Sequence, residues 1–93
     1  MSRAYGEPVE VWDADGSPAR FAWRGRLYTV IRVLDRWVIS REWWQHRGAG
    51  AGDPAEHEFW RVEAAAGRGI PPATYELRQD TAAGSWLLAR VWD

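Results

Sequence analysis

Hydrophobic and polar residues alternate with a period of two over most of this chain, and helical periodicity is scarce. Alternation of this kind, in runs rich in β-branched and aromatic residues, is typical of strands with one buried face. Turn signals separate the runs, among them Asp15-Gly16 and Arg24-Gly25. The pattern predicts an all-β fold, namely a small antiparallel, partly open barrel or sandwich of six to seven strands.

The alternation also assigns side chains to faces. In the run HEFWRVEAA, Trp60 and Val62 point to one face and Phe59, Arg61 and Glu63 to the other. The final run predicts one face that carries Trp86, Leu88 and Trp92. We expect most of the tryptophans in the strands to be buried: Trp12, Trp37, Trp60 and Trp86.

The run from Leu27 to Leu34 is largely apolar on both faces. This predicts a central strand, or a strand that bends to serve two walls of a barrel. Asp35-Arg36 is expected to be a bulge or a second turn. The run Asp80 to Gly84 predicts a hairpin turn with Gly84 in the left-handed conformation.

The segment SREWWQHR is the only good helix candidate. Ser40 could cap one short helical turn around Trp43 and Trp44. Glycine-rich stretches on either side of HEFWRVEAA predict flexible loops near residues 47–57 and 66–73. The length of 93 residues fits a single domain, residues 1–93, with one modest core.

Composition narrows the class of protein further. The chain has 46% hydrophobic residues, no cysteine and eight tryptophans. It is too apolar to be disordered. Without disulfides or zinc-thiolate sites, a small domain must be stabilised by packing of its core. Each indole can add on the order of 200 Å² of buried surface to that core. No apolar run approaches the roughly 20 residues that span a bilayer, and no secretory signal is evident. We therefore expect a cytoplasmic protein that does not bind a membrane.

The net charge of −1 conceals an uneven distribution. Residues 18–47 carry a balance of +5, whereas the segments before and after them are each acidic. The chain has twelve arginines and no lysine. A coding bias could explain this usage; alternatively, the arginines form a face for bidentate or stacking contacts.

No constellation of catalytic residues is recognisable. His46 and His57, with Glu42, Glu56 and Glu58 nearby, lack the compact spacing of a metal site. The serines lie at the terminus, at turns or at the possible cap, and GAGAGD lacks the lysine and helix of a phosphate loop. The sequence predicts no catalytic residues, no metal, no cofactor and no enzyme activity.

Arginines interleaved with aromatic residues are the remaining functional signal. Adjacent residues on a short helix diverge by about 100°, so at least one of Trp43 and Trp44 is expected to be exposed. Small barrels bind single-stranded nucleic acid with aromatic platforms and a cationic groove. The alternative is a tryptophan core covered by arginines. The predicted partner-binding residues are Arg24, Arg26, Arg36, Arg41, Trp43, Trp44 and Arg47.

The ordered motifs PARFAWRGRLYTVIRVLDRW, EWW, HEFWRVE and YELRQD…GSWLLARVWD resemble a small tryptophan-rich actinobacterial domain of unknown function. The resemblance extends from about Pro8 to Asp93. Similar segments occur at the C-termini of Y-family polymerase-like proteins of the ImuB type. The resemblance implies an accessory role near DNA repair and translesion synthesis, with no catalytic residues.

These observations leave two functions open. The first is a non-catalytic protein-interaction module with an unidentified protein partner, because tryptophan and arginine supply much of the binding energy at interfaces. The alternative is a small barrel that binds single-stranded nucleic acid. The sequence permits a monomer, or a homodimer through an edge strand such as VEVW.

Overall fold

The computed structural model describes residues 2–40, 56–67, 69–80 and 83–92. These residues form six strands and no helix. The strands are β1 (Ser2–Ala14), β2 (Ser17–Trp23), β3 (Arg26–Ser40), β4 (Glu56–Ala65), β5 (Ala73–Asp80) and β6 (Ser85–Trp92). The all-β class predicted from the alternation is therefore confirmed.

Each strand pairs antiparallel with the next strand in the chain, and β6 returns to pair with β1. Of the two predicted architectures the barrel is the one that forms, and it is closed rather than partly open. Residues 2–9 of β1 pair with β6, beginning with Ser2 opposite Trp92, whereas residues 10–14 pair with β2. Because β1 changes neighbours in this way, it joins the two ends of the sheet.

Two of the hairpin turns have the two-residue form that matches the twist of the strands. Asp15-Gly16 joins β1 to β2, and Arg24-Gly25 joins β2 to β3, as predicted. The φ angles are 53° and 84° in the first turn and 52° and 75° in the second. Positive φ at both positions is the signature of a type I′ turn. Gly84 also has the predicted left-handed conformation, and its N–H donates to the Asp80 carbonyl oxygen at 2.7 Å.

Alternate residues of the strands fill the barrel. The buried side chains are Phe21, Tyr28, Trp60, Val62, Ala64, Tyr75, Leu77 and Leu88. The ring of Phe21 is stacked on Tyr28 with centroids 4.9 Å apart, and it meets Tyr75 edge-on. The predicted faces of β4 are confirmed, because Trp60 and Val62 are buried.

The prediction that most strand tryptophans are buried is only half right. Trp60 is buried, and Trp86 packs against the core. Trp12 is 48% exposed and Trp37 is only half-buried outside the core, so the prediction is wrong for these two residues. Alternation separates the two faces of a strand but does not say which face a tryptophan occupies, and Trp12 pairs with exposed Arg20 on the outer face.

A bulge in β6 overturns another predicted face. Arg90 and Leu88 pair with consecutive residues of β5, so the strand has one extra residue between them. Such a bulge reverses the alternation beyond it. Leu88 is buried as predicted, but Trp92 lies on the outer face beside Arg61 and Arg90. Trp92 therefore does not share a face with Trp86 and Leu88.

The predicted helical turn around Trp43 and Trp44 lies outside the described residues, as does most of the predicted loop near 47–57. Ser40, the predicted cap, is the last residue of β3. The predicted loop near 66–73 connects β4 to β5. Within the described segments, there is no helix of the length and apolarity needed to cross a membrane.

Candidate interaction surface

The second half of β3 pairs with a neighbour on one side only. The strand pairs with β2 as far as Thr29, and from residue 31 to 40 its partners among the described residues all belong to β4. We call residues 31–40 the free edge. Unpaired backbone N–H and C=O groups along such an edge can form hydrogen bonds with an added strand.

Large aliphatic side chains crowd the free edge and remain exposed. The exposed fractions are Ile31 54%, Val33 39%, Leu34 46%, Val38 46% and Ile39 51%. The pairing with β4 shifts register next to Ile31 and again next to Leu34. Because each bulge reverses the alternation, apolar side chains are presented on both faces of the strand. Natural edge strands are usually protected by charge or proline, and a run of exposed aliphatic residues marks an interaction site.

The ionisable residues of the free edge differ in their partners. Arg32 donates to Glu63 Oε1 at 2.8 Å, and Arg36 is bound to the carboxylate of Glu58. Asp35 is exposed, and it is the one ionisable side chain of the free edge for which the described residues provide no ion pair. Its Oδ1 accepts a hydrogen bond from the backbone N–H of Arg36 at 2.9 Å. The charge left unneutralised on the free edge is therefore negative.

The first half of β1 also pairs on one side only, but Trp23 at the end of β2 and Arg24 of the β2–β3 turn contact Tyr5 and Glu7 there. Trp23 Nε1 donates to Glu7 Oε1 at 2.8 Å, and Arg24 donates to both oxygens of the same carboxylate at 2.9 and 2.7 Å. The Arg24 guanidinium lies 5.2 Å from the ring centroid of Tyr5 and 4.7 Å from that of Trp23. This closure distinguishes β1 from β3.

These contacts act on the ionisation of both charged partners. The hydrogen bonds from Arg24 and then from Trp23 lower the pKa of the Glu7 carboxyl. The hydrogen bond to Glu7 raises the pKa of Arg24 in turn. The ionised pair is therefore the favoured state at neutral pH.

The structure describes three of the predicted arginines, and it does not bring Arg36 together with Arg24 and Arg26. Arg24 and Arg26 flank Gly25 at the tip of the β2–β3 hairpin. Ten residues of strand, about 33 Å at full extension, separate Arg26 from Arg36. Arg24 and Arg36 are bound to carboxylates, whereas Arg26 has no ion pair with the described residues. Four other predicted partner-binding residues lie outside the described residues: Arg41, Trp43, Trp44 and Arg47.

Arginines and aromatic rings stack on each other outside the barrel. Trp37 lies parallel to Phe59, with ring centroids 5.3 Å apart. The Arg61 guanidinium lies 5.3 Å from the Trp37 ring centroid and 4.8 Å from that of Trp92, and it forms an ion pair with Glu76. Here the arginine covers tryptophans of its own chain, which is the alternative arrangement considered from the sequence.

Surface grooves lined by described residues adjoin β3 at Leu34 and at Leu27. One, of about 390 Å³, is lined by Leu34, Arg61, Thr74 and Trp92. The other, of about 330 Å³, is lined by Trp12, Asp13, Ala19, Arg20 and Leu27. The first groove reaches the free edge at Leu34, so apolar surface continues from the edge onto the outer face of the barrel.

The described residues contain no cluster of three or more histidine and acidic side chains that could hold a metal ion. His57 and Glu58 lie in β4, whereas His46 and Glu42 lie outside the described residues. The prediction that the two histidines and the neighbouring glutamates Glu42, Glu56 and Glu58 bind no metal stays a prediction.

Sequence reasoning missed the free edge, although the sequence carries a signal for it. The run from Leu27 to Leu34 is apolar on both faces, which indicated a central strand or one that bends to serve two walls of a barrel. A strand with two bulges gives the same pattern, because each bulge turns an apolar residue to the other face. The predicted irregularity at Asp35-Arg36 corresponds to the bulge at Leu34, and the strand continues through it.

Comparisons with known proteins identify a family. No curated protein and no solved structure matches the chain. A family model described as a domain of unknown function, DUF6504, matches residues 1–93. The chain belongs to the DUF6504 family.

Proposed function

We propose that this domain is a non-catalytic, cytoplasmic protein-interaction module that binds an extended segment of a partner protein along the free edge. One observation carries the proposal: from residue 31 to residue 40, every pairing partner of β3 among the described residues belongs to β4, and five large aliphatic side chains of this segment are exposed. Strand addition to a sheet edge is a common mode of peptide recognition.

The edge supplies the two components that this mode needs. Main-chain hydrogen bonds to an added strand give affinity, and contacts with alternate side chains give specificity. Val38 and Ile39 are each about half exposed. A bound strand that covers them would remove their apolar surface from water, which stabilises the complex by roughly 25 cal/mol per Å² buried. The groove beside Leu34 would receive side chains on the outer face of the added strand.

The resemblance to C-terminal segments of ImuB-type polymerase-like proteins supports a partner in the DNA repair and translesion synthesis machinery. A domain that tethers such proteins needs a binding edge and no catalytic residues. This assignment of the partner is part of the proposal and rests on the resemblance.

A peptide selection tests the proposal and does not require the partner to be identified first. A library of random ten-residue peptides is selected on the purified domain, and binding is mapped by amide NMR shifts. We expect selected peptides to perturb the amides of residues 31–40 and to bind the Val38→Lys variant at least tenfold more weakly. Leu27→Lys, at an equally exposed aliphatic residue of the same strand that pairs with β2, is the matched control and is expected to bind normally. Peptides that bind elsewhere, or equally well to Val38→Lys, would show that the free edge is not the site.

Single-stranded nucleic-acid binding is the alternative function. We rank it second because three of the described arginines, Arg24, Arg36 and Arg61, are each in an ion pair with a carboxylate of their own chain. Fluorescence anisotropy of a labelled single-stranded oligonucleotide, titrated with the domain at two salt concentrations, tests this function. Binding that weakens steeply with salt would support this function, since phosphate contacts release counterions.

A further inference from the structure

We propose that the partner segment is basic as well as apolar, and that it carries a lysine or arginine at the position opposite Asp35. The inference rests on the proposed function and specifies the chemistry of its partner. It reverses the expectation from the sequence, in which residues 18–47 carry a strong positive balance.

The charge pairing of the free edge leads to this inference. Arg32 and Arg36 already have carboxylate partners on β4, Glu63 and Glu58. Both arginines therefore have less to gain from an acidic residue of a partner.

Asp35 keeps an exposed carboxylate that forms no ion pair with the described residues. Arg61 of β4 lies opposite Asp35 in the strand pair, but its guanidinium is paired with Glu76 and stacked on tryptophan rings. An added strand can supply a cation, because opposite charges on directly opposed residues stabilise a strand pair.

The position of Asp35 fixes where the cation belongs. Asp35 is paired with Arg61 of β4, and paired residues point to the same face of a sheet, so Asp35 belongs to the outer face with Arg61. The outer-face residue two positions further along β3 is Trp37. In an antiparallel partner, the residue two positions before the cation would contact this indole. The expected segment therefore has an apolar residue, any residue and then a cation, in that order.

Two synthetic peptides test the inference. Each has ten residues of alternating valine and threonine with a single central lysine or a single central glutamate, and proline at both ends to prevent self-pairing. We expect the wild-type domain to bind the lysine peptide about two- to fivefold more tightly than the glutamate peptide, the range of an exposed ion pair. The preference is expected to shrink in high salt.

Variants at one position separate charge from shape. Asp35→Asn keeps an oxygen that can accept from the Arg36 N–H, and it is expected to bind both peptides equally. Asp35→Lys is expected to prefer the glutamate peptide. Circular dichroism confirms that each variant is folded before its binding is measured.

The outcomes distinguish the basic partner segment from the proposed function on which it rests, strand addition at the free edge. If wild type binds both peptides equally or prefers glutamate, with shifts at residues 31–40, the basic partner is wrong and strand addition stands. If neither peptide binds or shifts those amides, both proposals fail. A concentration-dependent dimer that excludes the peptides would identify a second copy as the occupant and overturn the inference.

Discussion

The indole N–H of Trp23 donates a hydrogen bond to Glu7 Oε1 at 2.8 Å, joining residues that are 16 positions apart in the chain. Arg24 binds the same carboxylate through two nitrogens. Glu7 lies in β1 close to the point where this strand passes from β6 to β2. The carboxylate thus attaches the tip of the β2–β3 hairpin to the strand that closes the barrel.

The first prediction concerns the pH dependence of this contact. Because the pKa of Glu7 is lowered in the folded protein, its ionised form stabilises the fold. That contribution is complete above the ordinary glutamate pKa of about 4.3 and is lost as the pH falls through the lower pKa of the folded state. We expect Glu7→Gln to melt below wild type at neutral pH and together with it in acid.

Thermal unfolding followed by circular dichroism from pH 7 downwards, at roughly half-unit steps around the glutamate pKa, checks this expectation. Glu10→Gln is the control, because Glu10 is an exposed carboxylate of the same strand that has no ion pair with the described residues. A difference in melting temperature between wild type and Glu7→Gln that stays constant into acid would contradict the assigned role.

A second prediction isolates the backbone strain of a turn. An alanine Cβ would meet no atom within 4 Å at either Gly25 or Gly6, but only Gly25 has a positive φ, of 75°. We expect Gly25→Ala to lower the free energy of unfolding by about 1 kcal/mol, since the left-handed region is unfavourable for residues with a Cβ. Gly6→Ala is expected to be neutral or slightly stabilising. Urea denaturation measures both, and equal losses would argue against a type I′ turn.

A third prediction tests which leucines belong to the core. Leu77 of β5 is fully buried, whereas Leu27 of β3 is 49% exposed. Leu77→Ala is expected to cost about 2–5 kcal/mol because it leaves a cavity, and Leu27→Ala less than about 1 kcal/mol. The comparison is made by chemical denaturation. A larger loss at Leu27 would mean that this part of β3 is buried in solution.

A fourth prediction concerns the stacked rings outside the barrel. We expect Trp37→Leu and Phe59→Leu to be non-additive, with a coupling of about 0.5–1.5 kcal/mol from the parallel contact of the two rings. Trp12→Leu combined with Phe59→Leu is the control cycle. Trp12 makes no ring contact with Phe59, so the free energies of unfolding should add. Additivity in both cycles would show that the stacked pair contributes no specific energy.

Local sequence signals predicted the parts of this fold that depend on local geometry. Asp15-Gly16 and Arg24-Gly25 form the expected turns because each places glycine, which readily adopts positive φ, at the second turn position. The alternation placed Trp60 and Val62 in the core, because β4 runs without a bulge through that region. The fold class followed from these two kinds of signal.

The remaining features depend on residues that are distant in the sequence. One extra residue in β6 turns Trp92 outward, and the sequence near Ala89 contains no signal that predicts this bulge. Distant carboxylates also hold two of the predicted arginines that the structure describes. Glu7 lies 17 positions from Arg24, and Glu58 lies 22 positions from Arg36. The free edge likewise depends on where β2 diverges from β3, which only the assembled barrel determines.

The closing pair of strands has a consequence for how this domain can be combined with others. Ser2 lies opposite Trp92, so the two ends of the described chain meet on neighbouring strands. A host protein could therefore carry the barrel within one of its surface loops without its own flanking segments being forced apart. For the same reason, a circular permutant can be made by linking the two ends with a short peptide and opening the chain at Asp15-Gly16. It would keep all six strand pairs and lose only the turn between β1 and β2.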